Sequence, residues 1–173
     1  MASQTPVDQI GFSTGTGLVS RIIRWFTRST VSHAWILYFD QEFGCDCILE
    51  ATAEGFRIQS FEKFRSENRI IATFTPKIVL TPGFKSMAAW LGAYYDFGGL
   101  FGMAWVLLGR WLRRRWRNPL ASSRTMFCSE AVARLCFAAG YRGDIFEQPE
   151  NTSPQDLYEF FLNEGSSHAE THP

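Results

Sequence analysis

The sequence predicts an α+β protein in which a β-rich first half is followed by a helical second half. Residues 31–80 contain short runs of β-branched and aromatic residues bounded by Gly, Pro and Asp. After Pro82 the apolar residues recur with helical spacing. With 173 residues, 46% of them hydrophobic and 20% charged, the chain can bury one core. We expect one domain over residues 1–164 and a disordered tail over residues 165–173.

The elements of the first half follow from local patterns. Residues 1–17 are polar and end in a Gly/Thr/Ser turn, which indicates an irregular lead-in, and residues 18–26 have the apolar spacing of a helix. Residues 31–39 are almost wholly apolar, as is typical of a central strand. Further strands are predicted at residues 47–51, 56–60, 69–75 and 78–80.

The second half is predicted to be helical over residues 84–95, 100–116, 127–139 and from 154 to about 162. Gly140 should stop the third of these helices. Ser153 and Pro154 have the residue types of an N-cap and a first helical position, so they should open the fourth.

The arginines are concentrated in one segment, although the net charge is zero. Residues 97–129 contain six arginines and neither Asp nor Glu. Thirteen uncharged residues, 97–109, precede the basic run and are too few to span a membrane, which takes roughly 20. Three interpretations stay open: a core helix with a solvated basic end, a contact with a membrane surface through residues 97–117, and a grip on an anionic polymer. Nucleic acid is disfavoured because no base-reading module is present. The candidate contacts are Tyr95, Trp111, Arg113, Arg114 and Arg115.

The four cysteines do not form the framework of a disulfide-rich protein. Cys45 and Cys47 are too close for an easy bridge, and the chain offers too few Cys and His for a zinc site, so we expect no metal or cofactor. The first ten residues lack a basic stretch followed by an apolar one. We therefore expect synthesis in the cytoplasm without a signal peptide, with possible delivery by a phage particle or a specialised secretion system.

A histidine and a cysteine are the strongest candidates for chemistry. His33 is the one histidine outside the tail, and it lies near the start of an apolar strand, where it is either a satisfied core residue or a base. Cys128 lies at the predicted start of a helix, where the helix dipole and free N–H groups favour a thiolate and can bind an oxyanion. Cys136, two turns later, is expected to be a buried structural residue.

A carboxylate is needed to orient the imidazole, and Glu50 is the candidate. It ends a short apolar strand that is expected to pair with the His33 strand. The structural alternative is that Glu50 faces solvent. Asp46 and Glu54 are the other carboxylates that could orient the imidazole in place of Glu50.

The order of these residues resembles the circularly permuted NlpC-type papain-like family, the YiiX-like group. The matching pieces span about residues 11–160 and are Ser32-His33-Ala34, Leu49-Glu50-Ala51 with Gly55, Tyr95-Asp96, Phe127-Cys128-Ser129-Glu130, and Ser153-Pro154 with Leu157. The resemblance implies a papain-like fold with a small antiparallel sheet or barrel packed by helices. It also implies a Cys nucleophile, a His base and a polar orienting residue. The basic segment is not one of the family's motifs.

The resemblance and the residues together predict a cysteine hydrolase that works through a thioester. Peptidoglycan peptidases and amidases and enzymes that act on lipid acyl groups occur among the family and its relatives. We therefore expect cleavage of an amide bond, most plausibly in peptidoglycan stem peptides. A lipid-directed acyl hydrolase or acyltransferase at a membrane surface and a non-catalytic binding module are the alternatives.

Overall fold

The computed structural model describes residues 8–15, 29–94, 98, 102, 105–106, 108–109, 111–114, 116–119 and 126–165, and it has an α+β fold. One antiparallel sheet, in the lateral order β4-β3-β2-β1-β5, comprises β1 (Gln9–Thr14), β2 (His33–Asp40), β3 (Cys45–Thr52), β4 (Gly55–Ser60) and β5 (Arg69–Phe74). The labelled α-helices are α1 (Phe61–Glu67), α2 (Thr81–Met87), α3 (Cys128–Ala139), α4 (Asp144–Glu147) and α5 (Pro154–Asn163). The predicted α+β class is confirmed. Within the described residues, no helix is long and apolar enough to cross a bilayer.

The sheet buries both of its faces because side chains alternate along each strand. Ala34 and Ile36 of β2 belong to the main core, together with Val132 and Leu135 of α3. On the opposite face, a smaller cluster is formed by Trp35 of β2, Ile48 of β3 and Phe64 of α1. The start of β2 therefore lies between two packed layers.

The prediction of an irregular lead-in over residues 1–17 is wrong for β1. This strand lies between β2 and β5, and its Ile10 and Phe12 are fully buried. Gly11 is opposite Trp35, and a Cβ at Gly11 would be 2.2 Å from the Trp35 ring. Gly11, which weakens the strand pattern, is therefore required by the packing of Trp35 in the neighbouring strand.

Three further predictions need correction or fall outside the described residues. Residues 78–80 are not a strand; they lead into α2, which begins at Thr81 with Pro82 in its first turn rather than at residue 84. The helix predicted to reach residue 95 ends at Met87 and continues as a short 3-10 turn, Ala88–Trp90. Helix α1 was not predicted, and the helix predicted at residues 18–26 lies outside the described residues.

Two predicted helices are confirmed: the one at 127–139, which carries Cys128, is α3, and the one from 154 to about 162 is α5. Helix α3 ends at Gly140, whose φ of 126° is a conformation that favours glycine. Helix α5 has Ser153 as its N-cap and a capping box with Asp156. Seven residues described between 98 and 111 are helical, so a helix is present where one was predicted at 100–116, but the predicted end is wrong because residues 112–114 and 116 are not helical. The tail beyond Gly165 lies outside the described residues.

Candidate active site

His33 and Glu50 meet because β2 and β3 are paired in a fixed register. Ile36 is opposite Leu49, so continuing the register puts Glu50 two residues diagonally from His33 on one face of the sheet. Nε2 of His33 lies 2.7 Å from Oε2 of Glu50. The strand pairing therefore holds the imidazole against a carboxylate.

Both oxygens of Glu50 have partners, and the side chain is only 2% exposed. Oε2 contacts His33, while Oε1 accepts hydrogen bonds from Nε of Arg57 at 3.1 Å and Nε2 of Gln59 at 2.7 Å. Burial alone would raise the pKa of Glu50, but hydrogen bonds and charges from His33 and Arg57 outweigh burial and lower it. Glu50 is thus an ionised, buried carboxylate with a fixed orientation.

Cys128 is the first residue of α3 and is buried between this helix and the sheet. Phe127 before it is extended and provides no side-chain cap. Sγ of Cys128 lies 4.0 Å from the carbonyl oxygen of Ser32, the residue before His33. The backbone N–H groups of Ala34 and Ser129 hydrogen-bond to the sulfur and favour its charged form. The start of α3 is therefore held against the start of β2.

The thiol and the imidazole shift each other's pKa in opposite directions. Burial would raise the pKa of Cys128, but a hydrogen bond from His33 and its charge lower it. Burial would lower the pKa of His33, but hydrogen bonds with Cys128 and Glu50 and their negative charges raise it to about 10. Because Nε2 of His33 faces Glu50, Nδ1 is the nitrogen left for Cys128. Both shifts favour a thiolate–imidazolium pair over a neutral thiol and a neutral imidazole.

The competing residues lie elsewhere. Asp46 is exposed near the other end of β3, opposite Phe39. Glu54 forms an ion pair with Arg57. Cys136 is fully buried, and burial together with the charge of Glu164 raises the pKa of its thiol.

The candidate contact residues of the basic segment are only partly described. Trp111, Arg113 and Arg114 are exposed, whereas Tyr95 and Arg115 lie outside the described residues. Among the described residues, no group of three Cys, His, Asp or Glu could hold a metal ion. All four cysteines are free.

Arg57 and Gln59 were missed in the sequence because nothing in β4 alone marks them. The feature of the sequence that could have predicted them is the tight turn between β3 and β4. In this turn Thr52 is paired with Gly55, and the same register puts Arg57 opposite Glu50. Counting outward from Gly55 would have found both.

Comparison with known proteins gives no family. No family model matches the chain, and no curated protein matches it. The likeness to permuted NlpC-type enzymes therefore remains a resemblance.

Substitutions of Glu50 should separate orientation from charge. We expect Glu50→Ala to lower kcat on the order of 10²–10⁴-fold, because the imidazole loses its acceptor. Glu50→Gln should retain measurable activity, since an amide oxygen can still accept the imidazole N–H. Asp46→Ala is the matched control on the same strand and should be close to wild type. An inactive Asp46→Ala beside an active Glu50→Ala would mean that the wrong carboxylate was chosen.

Proposed function

We propose that the protein is a cysteine hydrolase in which Cys128 is the nucleophile, His33 the proton donor and acceptor, and Glu50 the orienting group. One observation carries the proposal. Glu50 holds Nε2 of the His33 imidazole at 2.7 Å, and the interaction of His33 with Cys128, at the start of a helix, raises the pKa of the imidazole and lowers that of the thiol. A structural histidine needs one partner, whereas this one lies between a buried carboxylate and a thiol whose pKa it lowers.

In the first half-reaction the thiolate of Cys128 attacks the carbonyl carbon of the substrate. The resulting oxyanion can be stabilised by N–H groups at the start of α3. The imidazolium of His33 then gives its proton to the leaving amine, the carbon–nitrogen bond breaks, and a thioester and a neutral imidazole remain.

In the second half-reaction neutral His33 removes a proton from water as the oxygen attacks the thioester. The carbon–sulfur bond breaks, the acid product leaves, and the thiolate–imidazolium pair is restored. An alcohol or amine in place of water would make the same site an acyltransferase.

The resemblance suggests the substrate and the finer fold. We propose that the sheet and α3 form a permuted papain-like core, because the His and Glu strands precede the Cys helix in the chain. The amide bonds of peptidoglycan stem peptides are the proposed substrate. The resemblance alone supports this substrate, and the site geometry supports the reaction.

A lipid-directed acyl hydrolase or acyltransferase is the second candidate, and an apolar cavity favours it. The cavity has a volume of about 360 Å³ and lies on the sheet face that α3 covers. Its lining is almost wholly apolar: Tyr38, Leu49, Ile58, Phe84, Met87, Ala88 and Leu91. Leu49 directly precedes Glu50 in β3, so the cavity is on the opposite face of the sheet from the Glu50 side chain, and it is the apolar lining that favours an acyl chain as its occupant.

Product analysis distinguishes the candidates. Purified protein is incubated separately with peptidoglycan and with phospholipid vesicles, and the products are identified by mass spectrometry beside Cys128→Ala as the control. A new amine and carboxylate from peptidoglycan supports the amidase, and a released fatty acid or transferred acyl chain supports the lipid enzyme. If neither substrate yields a product, and neither forms a thioester on Cys128, the protein is a binding module.

The two pKa shifts predict a broad pH optimum. We expect kcat/KM to fall on the acid side as Cys128 is protonated, at a pH below the usual thiol range because its pKa is lowered. It should fall on the alkaline side near pH 10, where His33 loses the proton needed by the leaving group. Alkylation of Cys128 by iodoacetamide needs only the thiolate. Its rate should therefore rise with pH at the same midpoint as the acid limb of kcat/KM and stay high at more alkaline pH. An alkylation midpoint at or above the ordinary pKa of a thiol would contradict the pair.

A further inference from the structure

The basic segment presents large apolar side chains outward. The described residues in 98–119 are called here the Trp/Arg segment. In its helical part, Trp105, Leu108, Trp111 and Leu112 are 48%, 43%, 71% and 48% exposed. At 100° per residue these four positions fall within an arc of about 120°. One side of the helix is therefore apolar and exposed.

The described residues on the buried side of the same helix include two glycines. Gly102, Val106 and Gly109 are buried, and the chain returns along them. A Cβ at Gly109 would be 2.8 Å from the Trp116 ring, and one at Gly102 would be 1.7 Å from Oδ1 of Asn118. Among the described positions of this helix, glycines therefore face inward while large apolar side chains face outward, the reverse of the usual arrangement.

Arginines follow the apolar arc directly. Arg113 has a φ of 56°, and the N–H of Arg114 bonds the carbonyl of Gly109 at 2.7 Å, so the chain turns sharply at the end of the helix. Arg113 and Arg114 are both exposed, and no acidic residue occurs between 97 and 129. An apolar face with Trp beside a cluster of exposed arginines matches the boundary of an anionic bilayer, where apolar groups enter the acyl region and guanidinium groups meet headgroup phosphates.

The Trp/Arg segment is anchored close to the candidate active site. The backbone N–H of Asn118 bonds Oδ1 of Asn151 at 2.9 Å, and its side-chain amide bonds the carbonyl of Glu150 at 3.1 Å. Oγ of Ser129, the residue after Cys128, bonds the carbonyl of Thr152 at 2.7 Å. Consecutive residues 150–152 therefore hold both the returning chain and the start of α3.

We propose that the apolar arc and the adjoining arginines dock the protein on an anionic membrane surface. The helix lies in the interface and does not cross it. Docking is independent of the proposed reaction, because it concerns the exposed arc and not Cys128. The anchoring through residues 150–152 then keeps the catalytic cysteine at a fixed position relative to the lipid.

The apolar part is tested with flotation of the full-length protein on vesicles of equimolar phosphatidylcholine and phosphatidylglycerol. Trp111→Ser should lower the affinity at least about tenfold, because the indole is a main apolar contact. Phe43→Ser is the matched control: Phe43 lies in the β2–β3 turn and is 72% exposed, close to the 71% of Trp111. Circular dichroism shows whether each variant is folded, and Trp111→Phe, which keeps an apolar ring, should retain most of the binding.

The charged part is tested with Arg113→Gly combined with Arg114→Gln. Glycine suits the positive φ at position 113, so the turn is preserved while the charge is removed. We expect about fivefold weaker binding per arginine at low salt and a smaller loss at high salt. Lys63→Gln with Arg65→Gln, which removes two exposed charges from α1, should bind like the wild type.

Several results would overturn the proposal. They are no binding of the wild type to the mixed vesicles, equal binding to pure phosphatidylcholine at low salt, and unchanged binding of the Trp111→Ser protein. Retention on isolated peptidoglycan or on DNA without vesicle binding would assign the arginines to a polymer instead. A Cys128→Ala protein must float like the wild type, so failure of the proposed reaction and failure of docking are distinguishable.

Discussion

Replacing Cys128 with Ala should abolish turnover while leaving the fold intact. The thiolate forms the covalent bond to the substrate, so its loss is expected to lower kcat on the order of 10⁴–10⁶-fold. Removing one buried sulfur from the first turn of α3 leaves only a small void, and the melting temperature should change little.

Cys136→Ala is the matched control for this substitution. Both thiols are buried in the same helix, but burial raises the pKa of Cys136 whereas His33 lowers that of Cys128. Cys136→Ala should therefore keep full activity. Brief iodoacetamide treatment near neutral pH should label Cys128 before Cys136, as read from peptide masses. Faster labelling of Cys136, or an active Cys128→Ala protein, would show that the nucleophile was misassigned.

The sequence predicted those parts of the fold that depend on local pattern. The strands predicted at 31–39, 47–51, 56–60 and 69–75 could be identified from their own residues, whereas the strand predicted at 78–80 is wrong. By contrast, β1 contains Gly11 and Ser13, which weaken its strand pattern, and only the Trp35 ring over Gly11 explains the glycine. Helix α1 has a single buried residue, Phe64, and so carries almost no periodic signal.

The candidate site was likewise predicted only in part from the sequence. His33 and Cys128 could be selected because one is the single histidine outside the tail and the other begins a strong helix. Arg57 and Gln59 act on Glu50 from the neighbouring strand, so their contribution depends on the register of β3 with β4. Residue types predict which groups can react, but the strand pairing decides which groups support them.

The two candidate substrates make different demands on the Trp/Arg segment. Soluble fragments of peptidoglycan do not need a docked enzyme, whereas a phospholipid acyl group reaches Cys128 only at the bilayer. If Trp111→Ser lowers activity on vesicles but not on a soluble thioester or amide substrate, docking serves the reaction. Equal losses on both would mean that the substitution damages the site.

Replacing His33 with Ala tests the other half of the thiolate–imidazolium pair. Without the imidazolium, burial dominates the environment of Cys128, and the pKa of the thiol should rise instead of being lowered. Turnover should fall on the order of 10⁴-fold, because both the thiolate and the proton for the leaving group are lost. The midpoint of iodoacetamide alkylation should move to higher pH, a change that a merely structural histidine would not produce. Deleting residues 165–173, which carry His168 and His172, is the control and should cost little. If the His33→Ala variant keeps its activity and the deletion variant loses it, the base lies in the tail.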